Sequence, residues 1–332
     1  MIDVLLVGFG RFGREHFLAW EGTGRARVVG IVDPHVEPSE VTSPDGKRSI
    51  PLFRALHDLP NRLRPDAAAI VTPSWTHREI AEVLLRQNVP CLIEKPLAKS
   101  SGEAQSIKDI SQETGTLCFP AHIMRFSKLH KELRTRFAQL GAAEPLRLVF
   151  HRDRSEALLE LYPGDHPVLL TGIHDVDLAV WFTDSFVASV SAEEETNGGI
   201  CTGYLAKLHH RSGAETQVRG SYNLPRDTPY AARDEVIIED LDGTEVYRLI
   251  DDPGLTTNEG ERNPALSGEI SHFLDLIGGA ARQPLVTLDE AIHNLAVVEA
   301  VLSSSRSGGM TVVVQASEAT YQTGWFQSQK SL

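Results

Sequence analysis

The sequence predicts an α/β chain of two domains: a parallel sheet wrapped by helices, then a second domain built on an antiparallel or mixed sheet. Three observations carry that expectation. The 332 residues exceed one typical domain and suit two. As far as Phe119, short apolar runs alternate with helical patterns, the rhythm of a parallel α/β sheet. Later, strand-like runs follow one another without long helices between them. The boundaries read as residues 1–120 for the first domain, 121–315 for the second and 316–332 for a polar tail.

In the first domain, residues 2–7 form an apolar strand, 12–20 a helix and 28–32 the second strand. Residues 33–51 are polar and proline-bearing and read as loop, with a short helix expected at 52–59. Residues 67–72 are a third strand, 76–87 a helix and 89–93 a fourth strand. Ser100-Ser101-Gly102-Glu103 has capping-box spacing, so a helix should run from there to Glu113. Residues 116–119 close the unit. In the second domain the strands read 146–151, 187–193, 204–209, 216–221 and 235–239. Asp242-Gly243 predicts a two-residue hairpin turn between 236–241 and 245–250. Helices at 269–278 and 289–304 precede a last strand at 310–314.

Bulk properties exclude several classes. Apolar residues make up 41%, enough for real cores, and the net charge is −13 without a basic tract. That balance argues against nucleic acid or an anionic membrane as partner. No apolar run approaches the roughly 20 residues a membrane helix needs. The chain runs straight from Met1 into a strand, with no basic segment ahead of it. Cys91, Cys118 and Cys201 are odd in number and far apart, which speaks against a disulfide framework or a metal centre and for a reducing, cytoplasmic setting.

Gly8-Phe9-Gly10-Arg11-Phe12-Gly13 is G-x-G-x-x-G. Alone the motif is weak, a turn that merely needs glycine. Here it follows a strand, opens a helix, and has Asp33 at the end of the second strand, which is the fingerprint of a Rossmann dinucleotide site. Asp33 can accept hydrogen bonds from ribose hydroxyls and would repel a 2′-phosphate, so NAD is expected over NADP. Arg11 is a contact for the pyrophosphate or a residual argument for NADP. Thr72-Pro73-Ser74 and His77 follow the third strand on the same carboxyl edge and are candidates for the nicotinamide ribose. The bland alternative is a helix start capped by Ser74 or Thr76.

Glu94-Lys95-Pro96 follows the fourth strand. Lys95 puts a titratable amine at that edge, where burial beside a cationic ring would lower its pKa toward neutrality. Most lysines are solvated instead. Residues 171–182 hold the second cluster, a partly helical apolar pattern carrying His174, Asp175 and Asp177. His174 and Asp177 are spaced i, i+3 and so share a face, making an oriented acid/base pair or a structural helix start. His151 and Arg152, at the end of a strand, are further substrate candidates. The polar segment 251–263 is a substrate lid or an exposed loop.

Together these pieces, with Arg125-Phe126, the run from Gly172 to Asp177 and the late Glu269 helix, resemble the Gfo/Idh/MocA family. The resemblance spans about residues 2–314. It implies a Rossmann domain followed by an α/β domain with a large, mostly antiparallel open sheet. It also implies an NAD(P)-dependent dehydrogenase acting on a CH-OH group of a sugar, cyclic polyol or nucleotide sugar. By matching position, Lys95 and His174 are the family's catalytic lysine and histidine, and Arg125 lies near the substrate. Homodimers or homotetramers through the second sheet are implied too. One departure stands out. Many members carry an aspartate four residues before the histidine, and here that position is Leu170. Asp177 or Asp165 would then take over, or lysine and histidine act alone. Two rival readings are a redox-neutral lyase or hydrolase using NAD and a non-catalytic, dinucleotide-binding regulatory paralogue.

Overall fold

The computed structural model describes residues 1–35, 40–140, 147–161, 165–228, 233–240, 243–248 and 263–315. The expected polar tail and most of the expected lid segment lie outside the described residues, as does the hairpin turn at Leu241 and Asp242. Two compact units result, one from Met1–Lys128 and Pro253–Ala291, the other from Leu129–Asp252 and Ile292–Leu332. None of the helices among the described residues is long and apolar enough to cross a membrane.

The first unit is built on β1 (Ile2–Val7), β2 (Ala26–Val32), β3 (Glu40–Thr42), β4 (Ser49–Phe53), β5 (Ala67–Ile70), β6 (Cys91–Glu94) and β7 (Cys118–Ala121). Their order is β3-β4-β2-β1-β5-β6-β7, all parallel except that β3 runs against β4. The chain winds outward from β1 in both directions. The carboxyl ends of β1 and β5 therefore flank the switch point where such sheets bind ligands. The central strands are short and wholly buried, as Ala67–Ile70 and Cys91–Glu94 are, because helices cover both faces. The helices are α1 (Arg11–Gly22), α2 (His77–Arg86) and α3 (Ser101–Thr114). Ser100 caps α3, accepting from Glu103 N at 3.2 Å, while the Glu103 carboxylate reaches back to Lys99 N at 3.2 Å. The expected capping box holds with its return bond one residue early.

Three expectations are corrected here. The stretch read as loop contains β3 and β4, and the helix expected at 52–59 shrinks to one 3-10 turn, Leu56–Asp58. Leu52 and Phe53 are taken into β4, in register with Ile31 and Val32, because an open edge of the parallel sheet outweighs weak local helix preference. The boundary expected at residue 120 falls inside β7. The first unit also takes a late helix, α7, described with its partners below.

The second unit opens with α4 (Lys128–Leu140), which the sequence reading missed. Leu129, Leu133, Phe137 and Leu140 nevertheless recur at helical spacing. Then come β8 (Arg147–Ser155), α5 (Ala157–Leu161), a π turn (Val168–Gly172), α6 (Ile173–Thr183), β9 (Val187–Asn197), β10 (Ile200–His210), β11 (Glu215–Leu224), β12 (Arg233–Asp240) and β13 (Gly243–Arg248). After them, α7 (Pro264–Ile277) returns to the first unit, setting Phe273 against Trp20 (6.0 Å) and Phe119 (6.0 Å). Finally, α8 (Leu288–Arg306) leads to β14 (Val312–Val313). The second sheet is ordered β13-β12-β8-β11-β10-β9-β14 and is mixed: β8 and β11 are parallel, the other pairs antiparallel.

Candidate functional site

In the first unit, β1 ends at Val7 and Gly8 turns the chain with φ +98°, a conformation closed to most side chains. A Cβ on Gly13 would stand 2.3 Å from Gly8 O, so α1 docks closely only with glycine there. Gly10 is different: a Cβ there would meet nothing within 4 Å, and the residue is exposed. Gly10 is also the N-cap of α1, with no side-chain cap. The positive end of this helix therefore faces open space beside the one glycine of the motif not required for packing. An anion such as a pyrophosphate fits that arrangement.

Asp33 is 9% exposed and braces the loop: Oδ2 accepts from Phe9 N at 2.7 Å and Oδ1 from His35 N at 2.8 Å. Each oxygen keeps a second lone pair for a ribose hydroxyl. Phe9 and Phe12 offer only backbone. Phe9 packs on Phe17 with ring centroids 5.8 Å apart, and Phe12 on His16 at 4.9 Å. Arg11 is exposed.

At the end of β5, Thr76 Oγ1 lies 2.7 Å from Thr72 Oγ1 and 2.8 Å from Pro73 O, and neither Ser74 nor Thr76 caps α2. His77 braces this turn. It is 1% exposed, with Nε2 2.7 Å from Thr72 O and Nδ1 3.0 Å from Pro96 O, so the ring lies between two turns and, when neutral, donates to one of the two carbonyls. Burial pushes its pKa down against those carbonyl contacts.

Glu94 is likewise turned inward. His16 Nε2 contacts its Oε1 at 2.9 Å, and its Oε2 accepts from Lys95 N at 3.1 Å. His16, fully buried one turn into α1, was missed; a histidine three residues after Gly13 is its only trace in the sequence. Lys95 is half-buried and is joined to Pro96 by a cis peptide. Arg125 is fully buried, 2.9 Å from Glu290 Oε1 and donating to Leu285 O at 2.9 Å.

In the second unit, every residue of α6 from Ile173 to Phe182 is buried, which explains why its pattern reads as only partly amphipathic. His174 is 8% exposed. Asp177 is fully buried and accepts from Asn294 Nδ2 at 2.8 Å. That bond ties α6 to α8. Leu170 is half-buried in the π turn, and Asp165 is half-buried just before it.

Arg152 faces α6 and lies within an ion cluster. Its Nε is 2.8 Å from both Asp175 oxygens and its Nη1 3.0 Å from Asp234 Oδ2. Burial opposes its charge, but Asp175 and Asp234 outweigh burial and hold its pKa above the usual arginine value. Side chains alternate along a strand, so His151 points to the opposite face of the sheet. There it sits 2.9 Å from Asp153 Oδ1 and 3.1 Å from Arg219 Nη2, away from α6.

Among the described residues, the ligand atoms of His166, Glu194 and Cys201 lie within 4.8 Å of one another. His166 Nδ1 accepts from Val168 N at 3.1 Å, which leaves the proton of a neutral ring on Nε2, 3.2 Å from Glu194. That tautomer suits hydrogen bonding better than metal ligation.

Residues 2–122 match the oxidoreductase family with an NAD-binding Rossmann fold. The UDP-N-acetylglucosamine 3-dehydrogenase of Acidithiobacillus ferrooxidans is 32% identical over 52% of this chain and 55% of its own length. The scyllo-inositol 2-dehydrogenase (NAD(+)) of Bacillus subtilis is 26% identical over 73% of this chain and 76% of its own. The chain thus spans only about half of the first of these relatives. In fold, it is similar to a myo-inositol dehydrogenase from Corynebacterium glutamicum, with TM-score 0.76, 18% identity and coverage of 96% of this chain and 100% of that one.

Proposed function

We propose that this chain, whose residues 2–122 match the oxidoreductase family with an NAD-binding Rossmann fold, is an oxidoreductase of the Gfo/Idh/MocA type that transfers a hydride between NAD and a hydroxyl-bearing carbon of a sugar, cyclic polyol or nucleotide sugar. The observation that carries the reading is the carboxyl edge of the first sheet: an open Gly10 at the uncapped start of α1, the Asp33 carboxylate beside it, and Lys95 at the end of β6.

The backbone from Gly8 to Gly13 would hold the pyrophosphate, Asp33 the adenosine ribose, and the turn at Thr72, Pro73 and Ser74 the nicotinamide ribose. The Asp33 carboxylate favours NAD over NADP. When bound, the nicotinamide supplies the hydride acceptor. His174 takes the proton of the substrate hydroxyl. Lys95 donates to the same oxygen and offsets its growing negative charge. Leu170 cannot carry a proton, and Asp177 is committed to Asn294, so lysine and histidine carry the proton chemistry in this reading.

Three thiols without a disulfide agree with a cytoplasmic setting. A homodimer or homotetramer would use the second sheet's face turned away from α6. That face carries Arg147, His151, Gln217, Arg219 and Glu239, so such an interface is polar and weakened by salt.

The test is Lys95→Ala. Turnover should fall about 10²–10⁴-fold, the range of a lost proton-transfer group, with NAD affinity within a few-fold. Turnover at the wild-type rate removes Lys95 from the reaction.

A further inference from the structure

Asp175 directly follows His174 and is held in a cluster of four buried charged side chains. Besides the two Nε contacts, Arg152 Nη2 lies 2.7 Å from Asp175 Oδ1. Arg154 Nη2 joins Arg152 at Asp234 Oδ2, at 3.0 Å. Two guanidinium groups from β8 thus meet one carboxylate from α6 and one from β12. All four residues are less than a tenth exposed.

Such a cluster is a poor source of net stability, because removing four charges from water costs about as much as their attraction returns. What it does supply is geometry. A planar guanidinium engaging a carboxylate through two nitrogens fixes distance and rotation together, which a point charge does not. The turn before His174 is equally constrained. A Cβ on Gly172 would stand 2.4 Å from Tyr204 Oη, and Thr171 Oγ1 is 2.5 Å from Tyr222 Oη. Asp177 is tied to Asn294 one turn on.

We infer that Arg152 is a positioning residue: its fork on Asp175 sets the register of the first turn of α6 and thereby the orientation of the His174 ring. This rests on the reading of His174 as the proton acceptor. Arg152→Lys keeps the charge and loses the fork. The pair Arg152→Met with Asp175→Leu removes one cation and one anion together, refills the space and leaves Arg154 paired with Asp234, which guards against simple unfolding.

The full-length protein, labelled with [15N]histidine, is compared by NMR as wild type, as each variant, and as His174→Asn to assign the signal. NAD reduction is followed in parallel with myo-inositol and with UDP-N-acetylglucosamine. The expected result is a displaced His174 ring signal in both variants, with His57 unmoved. Where a probe turns over, kcat should fall about 100-fold while the KM for NAD stays within two-fold. An unchanged His174 signal in both folded variants overturns the inference. Undiminished turnover in His174→Asn instead defeats the acid/base reading and leaves the NMR arm to decide whether Arg152 orients the ring.

Discussion

Glu94 divides its two oxygens between His16 and the backbone of Lys95, so the strand end carrying the amine is fixed through a buried carboxylate. Glu94→Gln can keep a bond to His16 but then turns an NH2 group toward Lys95 N–H, donor against donor. It should cost about 1–3 kcal/mol in stability and lower turnover, read by thermal melts and initial rates. The glycines give a sharper contrast. Gly10→Ala meets no atom of the protein, so its melting temperature should match wild type while NAD affinity falls at least about tenfold. Gly13→Ala forces a methyl against Gly8 O and should lower the melting temperature outright. Calorimetry alongside NAD titration separates the two. The candidates were legible as residue types at a strand edge, but not in their direction. His77, Glu94, Arg125, Arg152 and Asp177 have the chemistry of ligands, and each has a partner within the protein that no spacing announces. His16 has no spacing signature at all until α1 docks beside β6.

The strands and helices of the parallel unit were the most legible elements, because fully buried strands are continuous apolar runs and glycine, proline and serine mark their ends. β3 and β4 were not, since their pairing is decided by an open sheet edge rather than by their own composition. In the second unit, β9 and α8 are joined by a device with a measurable signature. Val187 N donates to His293 Nε2 at 2.9 Å, and the ring stacks on Phe186 at 4.4 Å. Burial, with help from Arg211 and His210, pushes the His293 pKa down to about 3. Burial likewise pushes His210 down to about 4, partly countered by its bond to Ser185. Both folded values lie below the unfolded value of about 6.5, so the neutral rings stabilise the fold above that pH. That contribution is lost as pH falls from about 6.5 toward 4 and then 3, by up to about 1.4 kcal/mol per pH unit for each histidine. Melts across this window should show steep acid destabilisation that is shallower in His293→Gln. Equal slopes would mean that His293 is not the sensor.

Across the whole molecule, the two-domain α/β plan was legible from rhythm alone, but the composition of the units was not. α7 belongs with the first unit because Phe273 packs on Trp20 and Phe119, a contact between residues far apart in the chain that no local pattern announces. The proposed reaction assigns the cofactor to the glycine turn and Asp33 of the first unit. Its central claim is net transfer of a hydride from a carbinol carbon to NAD. The direct measurement is to incubate the full-length protein with NAD and a panel of cyclic polyols, sugars and nucleotide sugars deuterated at their carbinol carbons. The destination of the label is then read by NMR and mass spectrometry. The account predicts deuterium on the nicotinamide ring, accumulating with an oxidised product and absent from Lys95→Ala. Product that accumulates with its deuterium returned to carbon and no reduced cofactor, or NAD that binds and acquires no label from any substrate, would contradict it.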